Sequence, residues 1–499
     1  MRSCAVIALA LFLMLAPAAS AQQPDVLKAA ADALGAASLK TLQINGWGWG
    51  ANFLGQNFTP NDPWPRINVP TFTALINYDT ASMRVDMVRQ VGAVMALGGG
   101  NLISGEQRSI QVVSGSEAWN VPTEGPAAGG TPQAQPQPDA APERMLALWA
   151  TPHGFVKAAM ANRATTRNVP GGTEVSFTVG GKYKMSGLIN AQNQIERVRT
   201  WIDQPLMGDL LVETIYRVYR NIDGMFFPSF IAQSQGGFPV LELTITSVHA
   251  NPAADITVPA NVRGAQPTPP VRVTSKALAD GVYFFSGGGP NSLAVEMRDH
   301  IVLIEAPFNE ARVLALIAKA KELIPNKPIR FVVNTHHHWD HSGGIRAAMD
   351  EGATIVTHES NRPFFEKVAQ MPHTLAPDRL SVSRKAPKLQ TVGDSGQLTD
   401  GNRTLNLYVV PGFVHAAGML MVYLPNEKIL VQADAPGRPD GPPGTRMRQV
   451  RVAAASALYD DILRRKLDVR TIVMMHSDEQ MTMAEFTRAL GRGGATSAN

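Results

Sequence analysis

The chain has 499 residues, 44% of them hydrophobic and 17% charged, with a formal net charge of +4. That length and apolar content are enough for two or three packed cores. A charge this small, with no run of lysine or arginine interleaved with aromatics, carries no nucleic-acid signature.

Arg2 precedes an apolar stretch over residues 5–15, and Ala19-Ser20-Ala21 is a small-x-small cleavage site. Residues 1–21 therefore read as a signal peptide, with the mature chain expected to begin at Gln22. The apolar stretch is too short for a membrane span. This pattern predicts a periplasmic or secreted protein. The single cysteine, Cys4, lies inside the leader. Disulfides, thiolate ligands and thiol nucleophiles are thus excluded from the mature chain.

Residues 22–264 carry β-like segments at 74–90, 109–121, 174–179, 182–190, 195–201, 212–220, 227–233 and 240–248. Asn221-Ile222-Asp223-Gly224 is a hairpin turn between two of them. A helical stretch over 143–160 interrupts the series, and the Pro-, Gly-, Ala- and Gln-rich residues 122–142 read as a flexible insertion or linker. The pattern predicts one α+β domain, a curved antiparallel sheet wrapped on a helix. Its meander, notably Tyr216 to Pro228, resembles the half-barrel of periplasmic lipoprotein-carrier proteins. That resemblance, limited to a meander and one hairpin, implies an apolar ligand in the sheet's concavity. The alternative is a packing partner that shapes a neighbouring site.

A Pro-rich connector, 265–270, separates this half from residues 271–499. There the segment Thr335-His336-His337-His338-Trp339-Asp340-His341-Ser342-Gly343-Gly344 follows the apolar run of Ile329, Phe331, Val332 and Val333. A strand ending in His-x-His turns His336 and His338 to one side, while Asp340 and His341 lie past the bend. One segment thereby seeds two metal positions. Imidazole and carboxylate suit zinc, and a catalytic zinc takes about three protein ligands with one position open. Further ligands must come from elsewhere. His415 lies in a turn between two strand-like runs, Asp434 ends the run 429–433, and His476 ends the run 471–475. Each stands at the carboxyl end of an apolar β segment, where ligands gather at a cleft.

The other histidines read conservatively. His337 should point away from its two neighbours, and His153, His249, His300, His358 and His373 have no ligand type beside them. His358 ends a strand and is expected to be hydrogen-bonded, while His373 lies in a loop, 370–379, long enough to overhang the site. Trp339, Phe364, Phe365 and Phe413 are candidates for an apolar wall, with buried core as the default. The Gly- and Pro-rich residues 436–444 read as a mobile flap or a surface loop.

The order His-x-His-x-Asp-His, His, Asp, His resembles the metallo-β-lactamase fold superfamily, from about Val271 to the C-terminus. The resemblance implies an α/β fold, an αββα sandwich. It also implies two zinc ions per chain, one on His336, His338 and His415, the other on Asp340, His341 and His476, with Asp434 bridging both. Members activate a metal-bridging hydroxide, and Asp340 could orient that nucleophile or carry its proton. Two departures are evident: Ser477 and Asp478 follow the last histidine where relatives usually carry glycine, and Glu305 stands where many carry Asp.

The leading expectation is a secreted binuclear zinc hydrolase of a small molecule with an ester, thioester, lactone or lactam bond. A carboxylate at position 434 resembles members that act on thioesters, phosphoesters and lactones more than true β-lactamases, which usually carry Cys or Ser there. The alternatives are a β-lactamase proper, an iron-dependent oxidoreductase of the same fold, and a ligand carrier with a vestigial metal centre.

Overall fold

The computed structural model describes residues 25–51, 66–92, 105–123, 133–267, 271–288, 290–435 and 449–492. The leader and residues 436–444 fall outside the described residues.

In the N-terminal half, thirteen strands among the described residues form one antiparallel sheet. It runs from Gln135–Pro136 at one edge, through Arg66–Asn77, Thr41–Ala51 and Phe238–Ala250, to Thr165–Val169 at the other. Strand Gly208–Ile222 shows why the sheet has an inside: from Gly208 to Tyr216 every second residue is buried, the alternation that extended chain imposes. The buried face packs on helices Ala141–Ala150 and Pro152–Ala161, whose Leu146, Leu148 and Phe155 fill the curve of a half-barrel. On the same face Val85, Met87, Ile231 and Leu241 stay half-buried.

Local chemistry explains where the sequence pattern and the elements differ. The helical stretch at 143–160 is two helices, because Pro152 lacks an N–H and pushes Thr151 into extended backbone. Thr151, at φ −60° and ψ 151°, caps the second helix by accepting from Gly154 N at 3.2 Å. The run 74–90 likewise holds the end of Arg66–Asn77, a turn, and Ser82–Val91. The expected hairpin is present, with Asp223 at φ 52° and Gly224 at φ 86°, the paired positive φ values of a type I′ turn. The insertion at 122–142 is partly regular: Gln135–Pro136 pairs with Trp119 and Asn120, and a helix begins at Ala141.

The C-terminal half is an αββα sandwich. One sheet of seven strands joins Thr274–Ala279 through Ile329–Val333 to Lys388–Val392; a second of six runs from Ser395–Thr399 to Met481–Thr482. Strand Leu420–Leu424 shows the layering. Its Leu420, Val422 and Leu424 face the first sheet among Val295, Val333 and Val356. Met421 and Tyr423 face outward onto Leu458 and Ile462 of helix Gln449–Arg464. Helices Glu310–Leu323, Ile345–Glu351 and Arg362–Gln370 contribute Leu316, Ile345 and Phe365 to the core outside the first sheet. No helix of the described residues is long and apolar enough to cross a membrane.

The two halves share one core. The turn between Ile195–Gln204 and Gly208–Ile222 carries Leu206 and Met207 at its tip, 0% and 1% exposed. They belong to the same cluster as Phe364, Phe365, Val368 and Leu380 of the sandwich. Polar contacts fix this seam. Asp209 N donates to Pro372 O at 2.8 Å, and the Asp209 carboxylate accepts from Thr374 N at 2.9 Å, Thr374 Oγ1 at 2.5 Å and Leu375 N at 3.0 Å. Gly208, at φ +64°, has no room for a Cβ, which would lie 2.0 Å from Pro372 O. His373 is buried in this seam beside Gly208, so it does not overhang the metal-ligand cluster. Behind the loop, buried Arg346 holds Asp378 and also donates to Val368 O at 2.6 Å.

Two predictions follow from these contacts. Asp209→Ala should lower the unfolding free energy by about 1–3 kcal/mol, and urea unfolding followed by tryptophan fluorescence should still show a single transition. His153 is buried against Phe227, with Nε2 2.9 Å from Leu34 O. Burial, outweighing the Leu34 hydrogen bond and aided by Lys157, pushes its pKa down from 6.5 to about 4. The unfolded chain therefore takes up this proton first as pH falls, and stability present above pH 6.5 is lost on the way down to about 4. The same unfolding experiment on His153→Gln should show a shallower loss over that window, by up to about 3 kcal/mol.

Candidate metal centre

Four chain segments bring the ligand candidates to one end of the sandwich. Strand Ile329–Val333 stops at Val333, so His336 and His338 lie beyond the strand rather than at its end, in irregular backbone over 334–338, until a one-turn helix, Trp339–Ser342, bends the chain. That bend separates His336 and His338 from Asp340 and His341. Asn334 makes it rigid by donating to Glu305 Oε2 at 3.3 Å and to His341 O at 3.2 Å, and Ser342 Oγ donates to the carbonyls of His337 and His338. His415 arrives on the loop between Thr404–Val409 and Leu420–Leu424, Asp434 two residues after Ile429–Gln432, and His476 two residues after Thr471–Met474.

The structure brings all seven candidates together in two groups. His336, His338 and His415 form one; Asp340, His341, Asp434 and His476 form the other, the candidate ligand atoms within each lying inside 4.8 Å. Asp434 reaches both. Its Oδ2 lies 2.8 Å from His341 Nε2 and 3.4 Å from both His336 Nε2 and His415 Nε2, while Oδ1 lies 3.0 Å from His476 Nε2. Asp340 Oδ2 lies 3.5 Å from His341 Nε2 and 3.4 Å from His476 Nε2. Asp434 holds this position in left-handed backbone, at φ +44°, a conformation that Asp tolerates better than most residues.

The donor chemistry fits a metal. The Nε2 atoms of His336, His338 and His415 are buried without a hydrogen-bond partner, a cost that a bound cation removes. Burial, reinforced by neighbouring imidazoles, holds His336 and His338 well below the usual histidine range, and His415 is lowered by burial too. These are the neutral, ligating forms. Thr335 Oγ1, 3.0 Å from His336 Nδ1, leaves Nε2 aimed into the pocket. In the second group burial disfavours protonation, but Asp434, Asp340 and Glu305 outweigh it and raise His341 well above its ordinary value. Against the same burial penalty, Asp434 and Asp340 raise His476 to about 9. Asp434 itself is held well below the carboxylate range, because His415, His341 and His476 outweigh its burial. The pocket thus demands positive charge where its carboxylates converge, and a proton supplies it when a metal does not.

The remaining sequence candidates lie around this centre. His337 is buried with its edge on Phe364, ring centroids 6.0 Å apart, and bonds the Asn361 side chain rather than facing solvent. His358 is hydrogen-bonded to Ser360 at 2.8 Å. Phe364 and Phe365 are core, Trp339 is half-buried on Phe308, and Phe413 lies 6.4 Å from the His415 ring. Sequence reasoning passed over Asn334 and Thr335, which flank the motif but are not ligand types. It also passed over Gly418, which packs on His358 so closely that a Cβ would sit 2.2 Å from His358 Nδ1.

Two sheets flanked by helices thus carry this donor set, fit for a metal, at one end. Residues 286–476 match the family model of the metallo-beta-lactamase superfamily. Over 172 residues the chain is 25% identical to the 2,4-dinitroanisole O-demethylase subunit alpha of Nocardioides sp. (strain JS1661). That match covers 34% of this chain and 45% of that protein, so the chain spans less than half the length of this curated relative. Among solved structures it is similar to a metallo-beta-lactamase from Pontibacter korlensis, with 19% identity over 44% of this chain and 98% of that one and a TM-score of 0.33. It is also similar to the metallo-beta-lactamase FIM-1 from Pseudomonas aeruginosa in its mono-zinc form, with 20% identity over 44% and 95% of the chains and a TM-score of 0.33.

Gly418 carries a prediction of its own. At φ +65° and without space for a Cβ, Gly418→Ala should strain the loop that delivers His415 by more than about 1 kcal/mol. Bound metal per chain, measured by atomic emission after equilibration with limiting metal, should fall below wild type while the far-ultraviolet circular dichroism stays unchanged.

Proposed function

We propose that the protein is a secreted or periplasmic binuclear zinc hydrolase acting on a small molecule with an ester, thioester, lactone or lactam bond. The observation that carries this reading is the pair of ligand groups joined by Asp434, with an open side at His476, which is 41% exposed. The export component rests on the leader pattern of residues 1–21.

His336, His338 and His415 would hold one ion and Asp340, His341 and His476 the other, with Asp434 between them. When bound, such a pair lowers the pKa of a water and polarises the oxygen of the bond to be cleaved. The chain's own part is positional and protolytic. Asp340 keeps Oδ1 buried without a hydrogen-bond partner beside the partly exposed His476. A carboxylate so placed can orient the attacking water, accept its proton and return it to the leaving group. For the N-terminal half, the half-covered Val85, Met87, Ile231 and Leu241 support binding of an apolar ligand or apolar substrate portion beside the helices that fill the curve.

The test is direct. Purified mature chain should carry close to two zinc ions, and a chelator should abolish turnover of one member of a panel comprising a lactam, a thioester, a lactone, a phosphodiester and an aryl methyl ether. The ether belongs there because the curated relative is named for one. His338→Ala should lower turnover at least about 100-fold. Stoichiometric iron would replace this reading with redox chemistry, and full activity in the metal-free chain would end it.

A further inference from the structure

His476 is the ligand candidate with the weakest hold of its own. Its side chain is 41% exposed, whereas those of His336 and His341 are fully buried. It lies beyond the end of strand Thr471–Met474, and among the described residues its ring contacts are with other members of the cluster, His341 at 2.9 Å and the two carboxylates. The backbone on either side of it is held from outside the cluster. There a residue from the other sheet intervenes. Asn291 N donates to Met475 O at 2.6 Å, Asn291 Nδ2 donates to Ser477 O at 3.0 Å, and the same Nδ2 donates to Asp478 Oδ1 at 3.1 Å. Asn291 is itself 1% exposed, in the turn that leads into strand Ser292–Glu296. It therefore brackets His476, taking the carbonyl before it and the carbonyl after it, and ties the loop across the sandwich to the opposite sheet. Fully satisfied buried hydrogen bonds rigidify what they hold, and such support keeps a site residue within about 0.5 Å of its working position.

We infer that Asn291 is the positioning residue for His476, and that through it Asn291 sets occupancy of the second metal position without acting on the first. This rests on the two-ion reading above. An amide is required because both contacts of the side chain need a donor. Asn291→Asp keeps shape but offers acceptors to a carbonyl and sets a carboxylate against Asp478. Asn291→Ala removes the side chain and leaves the backbone bond to Met475 intact.

The experiment is stepwise metal loading of the full mature chain, read by calorimetric zinc titration and by the visible spectrum of the cobalt-substituted protein, with thermal unfolding of the metal-free forms alongside. Wild type should take two ions. Asn291→Ala and Asn291→Asp should bind the first as wild type does and the second about 10–100-fold more weakly. The cobalt band that develops on the second equivalent should be lost, and Asn291→Asp combined with Asp478→Asn should recover part of it. Two ions bound at wild-type affinity in both variants overturn the inference. So does equal weakening of both ions with a lowered melting temperature, which marks a merely structural residue. Wild type that takes fewer than two ions removes the two-ion reading itself, and this inference with it.

Discussion

The convergence of Asp434 on four imidazoles governs the end of the sandwich. A buried carboxylate is costly unless it is paired and hydrogen-bonded, and the cost here is offset by four histidines from three separate segments. Each of those segments must end at the right height. The backbone accordingly holds unusual conformations around the pocket: Glu305 at φ +73° beneath His341, Asp434 at φ +44°, and Gly418 at φ +65° behind His415. Such conformations persist only where surrounding packing over-determines them. The two sheets supply that packing through a core of aliphatic side chains with almost no exposure.

Electrostatics gives the same picture from another side. One group of histidines is pushed toward the neutral form by burial, the other toward the charged form by the carboxylates beside it. A single cluster thus offers lone pairs on one side and a demand for positive charge on the other. Outer contacts of Thr335, Asn334 and Asn291 then set the angle at which each ligand enters, and a site without them would be present but loose.

Much of this was legible in the sequence, for a reason that differs between the halves. The His336 to His341 run is dense in ligand types, so its chemistry shows without a fold, and the residues that complete it stand at the ends of apolar strands that alternate cleanly. Asn291, Thr335 and Gly418 gave no comparable signal, because an amide, a hydroxyl or a missing Cβ means something only once its neighbour is known. In the N-terminal half the strands are long and half-exposed, and Pro152 and the 78–81 turn each split one apparent element into two. Strand Thr41–Ala51 escaped notice because its Gly46, Gly48 and Gly50 break the hydrophobic alternation. At Gly46 and Gly48 the neighbouring strand comes too close for a side chain: a Cβ on Gly48 would lie 1.9 Å from Glu242 O.

That strand has a consequence for how the molecule is made. Thr41–Ala51 lies between Arg66–Asn77 and Phe238–Ala250, so one neighbour is the next strand in the chain and the other is the last of the sheet, completed only at Ala250. While the chain emerges, one flank of this strand stays an open template for foreign strands. Pairings of such sequence separation are slow to form, and the hairpin carrying Leu206 and Met207 has its docking face only once Phe364 and Val368 have been synthesised. Assembly of the half-barrel is thus timed by its own last strand and by the sandwich that follows. A chain interrupted between residues 77 and 238 would display an unpaired strand edge, making nascent fragments the species that most need protection from aggregation.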